Sequence, residues 1–366
     1  MHLTAQARNL ISEFQPYSPG LSTAEIGKLF QLEQVIKLAS NENPLGTPPR
    51  AQETLQGFAS QAYRYPRPGC PDLCQALAQE LDIPQGCIFA GNGSDEIIDL
   101  LFRLMAEPGQ GNAVMFEPCF SIYTSQALLF GVQTRRVPLN PDFSFPFAEL
   151  LSQVDAQTSL VFITNPDNPS GYSVPARDIK SLAERLPDSC LLVLDEAYVE
   201  FADRPEATSA VAFWESLQNT VILRTFSKIY GLAGLRLGYA VMPAQLADYL
   251  QRIRLPFSVN LLAEQAGIAA LQDREHYQAT RQTVLQGRRY LQQGLQELGC
   301  KVYPSQANFL LFKPPGSAKS LYEELLQQGL ILRSLQSYGL EDHLRVSIGK
   351  PEHNELLLKR MREILG

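Results

Sequence analysis

Apolar positions along this chain fall into two kinds of run. In the middle, short stretches at 87–91, 113–116, 160–164, 191–195 and 221–224 are apolar at nearly every position. Leu191-Leu192-Val193-Leu194 has no polar face at all, the pattern of a strand covered on both sides. Between these runs, residues 95–105, 122–130 and 179–186 follow helical spacing. Such alternation predicts an α/β unit, a mainly parallel sheet flanked by helices. The last hundred residues read differently. Long helices at 263–271 and 277–298 come first. Short strands follow at 302–303, 308–312 and 344–348, with a helix at 318–328 among them. A last helix carries Leu357, Leu358, Met361, Ile364 and Leu365 at helical spacing. This predicts a smaller α+β unit. The expected division is an N-terminal segment, 1–40, packing on the small unit or on a partner; a large unit, 41–255; and a small C-terminal unit, 256–366.

Length and composition fit that plan. With 366 residues, 45% hydrophobic and 19% charged, the chain is long enough for two cored units. A net charge of −7 gives no basic face, so nucleic acid is not expected as a partner. The six cysteines form no CxxC pair and the four histidines do not cluster with them, so no metal site is expected. No signal-peptide pattern opens the sequence and no apolar run approaches membrane-spanning length, so a cytoplasmic, non-membrane protein is expected.

Parallel sheets place ligands beyond the carboxyl ends of their strands, so the polar residues there carry the chemistry. The strand at 221–224 ends in Thr225-Phe226-Ser227-Lys228, with Arg236 eight residues on. Lys228 is compatible with a solvated surface charge. In a partly desolvated pocket near other cations it becomes an amine nucleophile suited to Schiff-base chemistry. Ser227 and Arg236 are then phosphate donors. Asp195, ending its strand, either caps a turn or supplies the carboxylate that keeps a pyridine nitrogen protonated. Tyr198 is placed to bond the ring oxygen of the same cofactor. The loop Asn165-Pro166-Asp167-Asn168-Pro169-Ser170-Gly171 is a turn by composition, and is compatible with presenting the Asn168 amide to that oxygen. Gly91-Asn92-Gly93-Ser94-Asp95 runs from strand into helix, the arrangement of an anion site. Phe120 is the candidate to stack on a flat ring. One cofactor, pyridoxal 5′-phosphate, asks for all of these groups, and they occur at successive strand ends.

With these motifs in hand, the sequence resembles the fold-type I pyridoxal-phosphate enzymes of the aspartate aminotransferase superfamily. Within them it resembles the histidinol-phosphate aminotransferases. The likeness runs through Pro16-Tyr17-Ser18-Pro19-Gly20, Ser40-Asn41-Glu42-Asn43-Pro44-Leu45-Gly46, Tyr63-Arg64-Tyr65-Pro66, Ala307-Asn308-Phe309 and Leu344-Arg345-Val346-Ser347. It implies transamination between L-histidinol phosphate and 2-oxoglutarate, giving glutamate. It also implies a homodimer in which Tyr65 reaches the cofactor phosphate of the neighbouring subunit. Ser94 and Asp95 would offer amides to the phosphate. Arg345, Arg333, Tyr17 and Asn43 would bind substrate. Two relatives of the same scaffold remain alternatives, an aromatic amino acid aminotransferase and a threonine-phosphate decarboxylase; a non-enzymatic regulator is a third. The sequence departs from the pattern at Asp167 and Ser170, where Asn and Thr are usual, and in the stretch Arg67-Pro68-Gly69-Cys70.

Overall fold

Strands with no polar face need cover on both sides, and the chain provides it. The computed structural model describes residues 22–107 and 109–366; Tyr17 and its motif lie outside the described residues. In chain order, β1 (Ile36–Lys37) comes first. Then come β2 (Ile88–Gly91), β3 (Asn112–Glu117), β4 (Gln133–Pro138), β5 (Thr158–Thr164), β6 (Leu191–Asp195), β7 (Thr220–Thr225) and β8 (Gly238–Val241). The last third adds β9 (Lys301–Val302), β10 (Phe309–Lys313), β11 (Leu330–Ile331), β12 (Arg333–Ser334) and β13 (Leu344–Ser347).

Among the described residues, β2 to β8 make one seven-stranded sheet in the order β2-β8-β7-β6-β5-β3-β4. All its pairings are parallel except those of β8, which runs antiparallel to both β2 and β7. β6 and β7 are buried at every position. Apolar clusters cover both faces; one holds Val161, Ile163, Leu192 and Leu194, the other Leu160, Phe162, Leu191 and Val193. The helix Gly93–Met105 shows how a flanking element is specified. Ile97, Ile98, Leu101 and Phe102 form its buried face, and the Glu96 carboxylate accepts the Asn92 backbone N–H at its start. Asp95 and Glu96 in the first turn and Arg103 in the last complement the helix dipole.

Two strands lack the apolar signature. β4 is an edge strand, and its Arg135 and Arg136 pair with Asp155 and Glu117 rather than with a core. β8 is short and opens on Gly238, where a Cβ would stand 2.6 Å from the Ser94 nitrogen.

The C-terminal third folds on an antiparallel sheet, β12-β13-β10-β9. Helices Arg274–Glu297 and Pro351–Leu365 pack together; a Cβ at Gly294 would meet a Leu358 methyl at 2.2 Å, so only glycine lets them come this close. The described part of the N-terminal segment lies on this unit. Its helix Thr23–Phe30 opens with a Ser22/Glu25 capping box. β1 pairs in parallel with β11, and Ile26 and Ala39 share a cluster with Leu326 and Ile331. The helix Leu261–Gln272 packs instead against the helices Pro49–Phe58 and Pro71–Leu81 beside the large sheet.

Candidate active site

The carboxyl ends of β5, β6 and β7, with the start of the helix after β2, enclose a cleft of about 410 Å³. Ser94, Asp95, Phe120, Asn168, Asp195, Tyr198, Ser227, Lys228 and Arg236 all line it. Lys228 stands just past β7 at the base. Its Nζ donates to the Ser40 carbonyl at 3.2 Å and lies 5.7 Å from the Tyr198 ring centroid. Burial, with help from the Arg345 and Arg236 cations, lowers its pKa to about 8, against an opposing pull from Glu42. Roughly a tenth of this amine is therefore unprotonated at pH 7, far more than for an ordinary lysine, and that is the form a nucleophile or proton acceptor requires.

Asp195 ends β6 and is buried. Its Oδ2 accepts the Tyr123 hydroxyl at 2.8 Å and its Oδ1 the Ala197 N–H at 3.0 Å. Burial raises its pKa to about 6 even so. A buried carboxylate with two donors and, among the described residues, no cation paired with it suits a positive partner. Next to it, the carboxylates of Glu196 and Glu200 pair with Arg224 of β7, in a buried network that fixes the turn behind the site.

The opposite corner is built for an anion. The helix Gly93–Met105 points its free N–H groups at the cleft, and Ser227 and Arg236 stand beside them. Arg236 takes a left-handed conformation (φ 55°), and its Nη2 bonds Asp95 at 3.0 Å. A Cβ on Gly93 would lie 2.7 Å from that Nη2, so glycine keeps the corner open for the guanidinium.

Substrate-side residues divide. Arg345 of β13 is buried; its Nη1 donates to Asn168 Oδ1 and its Nη2 to the Ala39 carbonyl at 2.9 Å, with the guanidinium 5.0 Å from the Phe309 ring centroid. Arg333 is its cross-strand partner on β12, so the two arginines share one face of the small sheet. Neither these arginines nor Asn43 is among the residues that line the cleft, and Asn43 is held elsewhere. Its amide donates to the carbonyls of Lys228 (3.2 Å) and Ile229 (2.8 Å), which makes it a clamp under the lysine. Tyr65 is not brought to the cleft of its own chain; it is 81% exposed and stacks on Phe257, itself exposed, with ring centroids 4.8 Å apart. Asp167, the departure from the familiar loop, is buried and accepts both the N–H and the hydroxyl of Ser170, so the two unusual residues satisfy each other.

Sequence reasoning passed over two residues. Tyr123 holds Asp195 and also bonds Thr164 at 2.8 Å. Its position one helical turn beyond Phe120 was the available signal. Asn41 bonds the Tyr198 hydroxyl at 3.2 Å, and nothing local announces it.

These donors match pyridoxal phosphate part by part: an amine of lowered pKa, a buried carboxylate without a cation, and an anion corner in which a Cβ would block the arginine. Among the described residues no group of three or more His, Cys, Asp or Glu could hold a metal, and no helix is long and apolar enough to cross a membrane. Comparison with known proteins agrees with the geometry. The family model described as aminotransferase class I and II matches residues 33–361. A histidinol-phosphate aminotransferase of Oleidesulfovibrio alaskensis is 51% identical over 97% of this chain and 94% of its own length. One from Moorella thermoacetica is 38% identical over 99% of this chain and 93% of its own. The crystal structure of histidinol-phosphate aminotransferase from Sinorhizobium meliloti, in complex with pyridoxal-5′-phosphate, superposes with a TM-score of 0.90 at 27% identity, covering 99% of this chain and 98% of that one.

Proposed function

The chain belongs to the class I and II aminotransferases, and from that premise we propose that it transfers the amino group of L-histidinol phosphate to 2-oxoglutarate, reversibly, with pyridoxal 5′-phosphate as cofactor. The observation that carries the chemistry is the convergence of Lys228 and Asp195 in one cleft, an amine and a carboxylate both shifted toward neutral pH. The substrate assignment is supported by the names of the relatives and by the Arg333–Arg345 pair.

Bound pyridoxal phosphate supplies the electron sink for the pair left behind when the substrate Cα loses its proton. The chain supplies the rest. Lys228 Nζ would hold the cofactor through its amine and, once the substrate amine has taken its place, would be free to accept the substrate Cα proton and later give it back. Asp195 holds positive charge on the ring nitrogen, and Tyr123 holds Asp195. Tyr198 and Asn168 address the ring oxygen. The N–H groups at Ser94 and Asp95, the Ser227 hydroxyl and Arg236 take the phosphate, and Phe120 covers the ring. Arg345 and Arg333 receive the substrate's phosphate in one half-reaction and a carboxylate in the other; forked guanidinium groups suit both anions. The resemblance would add Tyr17 to the substrate side, and Asn43 would act there through Lys228.

We read the active unit as a homodimer. Tyr65, Leu255 and Phe257 expose apolar surface beside one another on the outside of the chain, and Tyr65 would complete the phosphate site of the partner. Tyr65→Ala should then lower cofactor affinity without touching the cleft of its own chain; unchanged affinity in a dimeric variant removes that role. We read the fold as a large unit at 41–255, which the helix Leu261–Gln272 joins by its packing, a small unit in the rest of 256–366, and an N-terminal segment whose described part, 22–40, rides on the latter. A cytoplasmic location is supported by cysteines that are all free.

The test is a single half-reaction. Holoenzyme is mixed with L-histidinol phosphate, without a keto acid, and the cofactor spectrum is followed. Conversion to the amine form faster than with phenylalanine or aspartate is the expected result. Faster conversion by phenylalanine moves the substrate to the aromatic class. No conversion by either, together with carbon dioxide release from threonine phosphate, replaces transamination with decarboxylation.

A further inference from the structure

A phenol has one proton to give, so what matters at Tyr198 is which way that proton points. The hydroxyl lies between the cleft and Asn41. Asn41 is 1% exposed, sits in a left-handed conformation (φ 55°) and places its Nδ2 3.2 Å from the hydroxyl. An amide nitrogen can only donate, so the bond uses a lone pair of Tyr198 and leaves its proton for the other side. The sense of the amide is fixed in turn by Ser347. That hydroxyl accepts the Asn41 backbone N–H at 2.8 Å and donates to Asn41 Oδ1 at 2.9 Å. Turning the amide over would give Ser347 two donors and strand its own proton in a site only 4% exposed. Asn308 Nδ2 donates to the Asn41 carbonyl at 3.0 Å and holds the backbone in place. Ser347 ends β13 and Asn308 stands just before β10, so a hydroxyl of the large sheet is oriented from the small one.

We propose that Asn41 is a positioning residue that turns the Tyr198 proton into the cleft, toward the ring oxygen of the cofactor, and that Ser347 holds the Asn41 amide in the donating sense. This rests on the reading of the cleft as a pyridoxal-phosphate site. Burial keeps Tyr198 in its protonated form, pushing its pKa up to about 12 against the opposing pull of Arg345 and Asn41, so there is a proton to orient. A purely conformational role, filling a left-handed turn, is the competing account. Asn and Asp both tolerate that turn, which makes Asn41→Asp the discriminating change. It keeps size and backbone but replaces the donor with an acceptor. The Arg345 cation, bonded to the Ala39 carbonyl two residues away, favours the ionised carboxylate. Tyr198 then donates to residue 41 and its proton leaves the cleft.

The experiment uses apoenzyme and 4′-deoxypyridoxine 5′-phosphate, which keeps the ring oxygen, ring nitrogen and phosphate but has no aldehyde for Lys228. Affinity is measured by titration calorimetry for wild type, Asn41→Asp, Tyr198→Phe and the double variant. About a tenfold loss is expected for each single variant, on the scale of one charge-assisted hydrogen bond. No further loss is expected in the double, because both changes remove the same bond. Ser347→Ala should lose less, about threefold, and nothing beyond Tyr198→Phe when combined with it. That second pair carries the test if Asn41→Asp does not fold. Wild-type affinity in Asn41→Asp, or losses that multiply to about a hundredfold in the double, overturns the proposal. Failure of the wild type itself to bind overturns the cofactor reading, and the proposal with it, without reference to any variant.

Discussion

At the carboxyl ends of β5, β6 and β7, each cleft residue is delivered by a buried strand and presents its side chain. Asp195, Lys228 and the Asn168 loop all arrive in this way. The strap 38–43 borders the same cleft without regular secondary structure and works largely through its backbone. Its carbonyls accept Ser347 N–H (Leu38), Arg345 (Ala39), Lys228 (Ser40) and Asn308 (Asn41), while the Asn41 and Asn43 amides reach Tyr198 and the carbonyls at Lys228 and Ile229. The strand ends carry groups that react; the strap carries constraints on those groups. The strap also links the two sheets, since its carbonyl partners are Ser347 and Arg345 of β13, Asn308 just before β10, and Lys228 just past β7. A change at a strand end should remove chemistry, whereas a change in the strap should leave the chemistry present but badly aimed.

The sharpest break comes from Lys228→Ala. Loss of the amine should lower turnover by roughly 10²–10⁴-fold or more, the scale of a positioned proton-transfer group. An added primary amine should restore part of the rate, because the cleft remains. A variant within tenfold of wild type would mean that another lysine does the work.

Why one region was legible and the other was not follows from the range of its interactions. β6 and β7 declare themselves because their central runs, Leu191–Leu194 and Val221–Leu223, are apolar at every position, and a polar residue at the end of such a run stands out. β4 does not, because as an edge strand its arginines pair with neighbouring acids. β8 is four residues long and includes a glycine, too little for a period. Tyr123 looks like any aromatic in a flanking helix; its role depends on Asp195, 72 residues away. The strap is the extreme case. Asn41 meets Ser347 across 306 positions and Ser40 meets Lys228 across 188. Its motif gave the resemblance, but no local pattern predicts which carbonyl faces which cation. Asn43 illustrates the cost: the resemblance assigns it to the substrate side, and its bonds to the carbonyls of Lys228 and Ile229 have no local signal at all.

A second test separates function from stability at a strand end. The Asp195 pKa is raised from 3.8 to about 6 by burial in the apo chain. The folded state therefore binds this proton more tightly than the unfolded one. Its favourable contribution is complete below about pH 4 and is lost as pH rises through 6. Two units correspond to about 3 kcal/mol at most. Asp195→Asn stays neutral throughout, so the apo variant should be more stable than apo wild type at pH 8 by about 1–3 kcal/mol. That advantage should shrink toward pH 4, read by urea unfolding. Asp167 has a similar shift but is present in both proteins and cancels. The same variant should lose most of its turnover, since the ring nitrogen loses its partner. A stability difference independent of pH would show that Asp195 is not strained by burial.

The smallest effect on turnover belongs to the strap, and it is the most informative about alignment. Asn43→Ala removes two donations into the carbonyls of Lys228 and Ile229, takes the Oδ1 acceptor from the Leu45 N–H at 2.9 Å, and ends the longer contacts with Thr280. At about 0.5–1.5 kcal/mol for each of the three shorter bonds, the folded state should lose about 1.5–4.5 kcal/mol. Turnover should fall only several-fold, because every reacting group is still there. The clamp has a second readout that a merely structural bond would not move. Lys228 owes its pKa of about 8 first to burial. A lysine loop released from Asn43 admits water, relieves that burial and lets the amine climb back toward its ordinary value. The acid limb of the pH–rate profile should then shift to higher pH. If stability falls and the limb stays where it was, Asn43 holds the backbone without aiming the lysine, and the strap's influence on the chemistry runs through Ser40 and Asn41 alone.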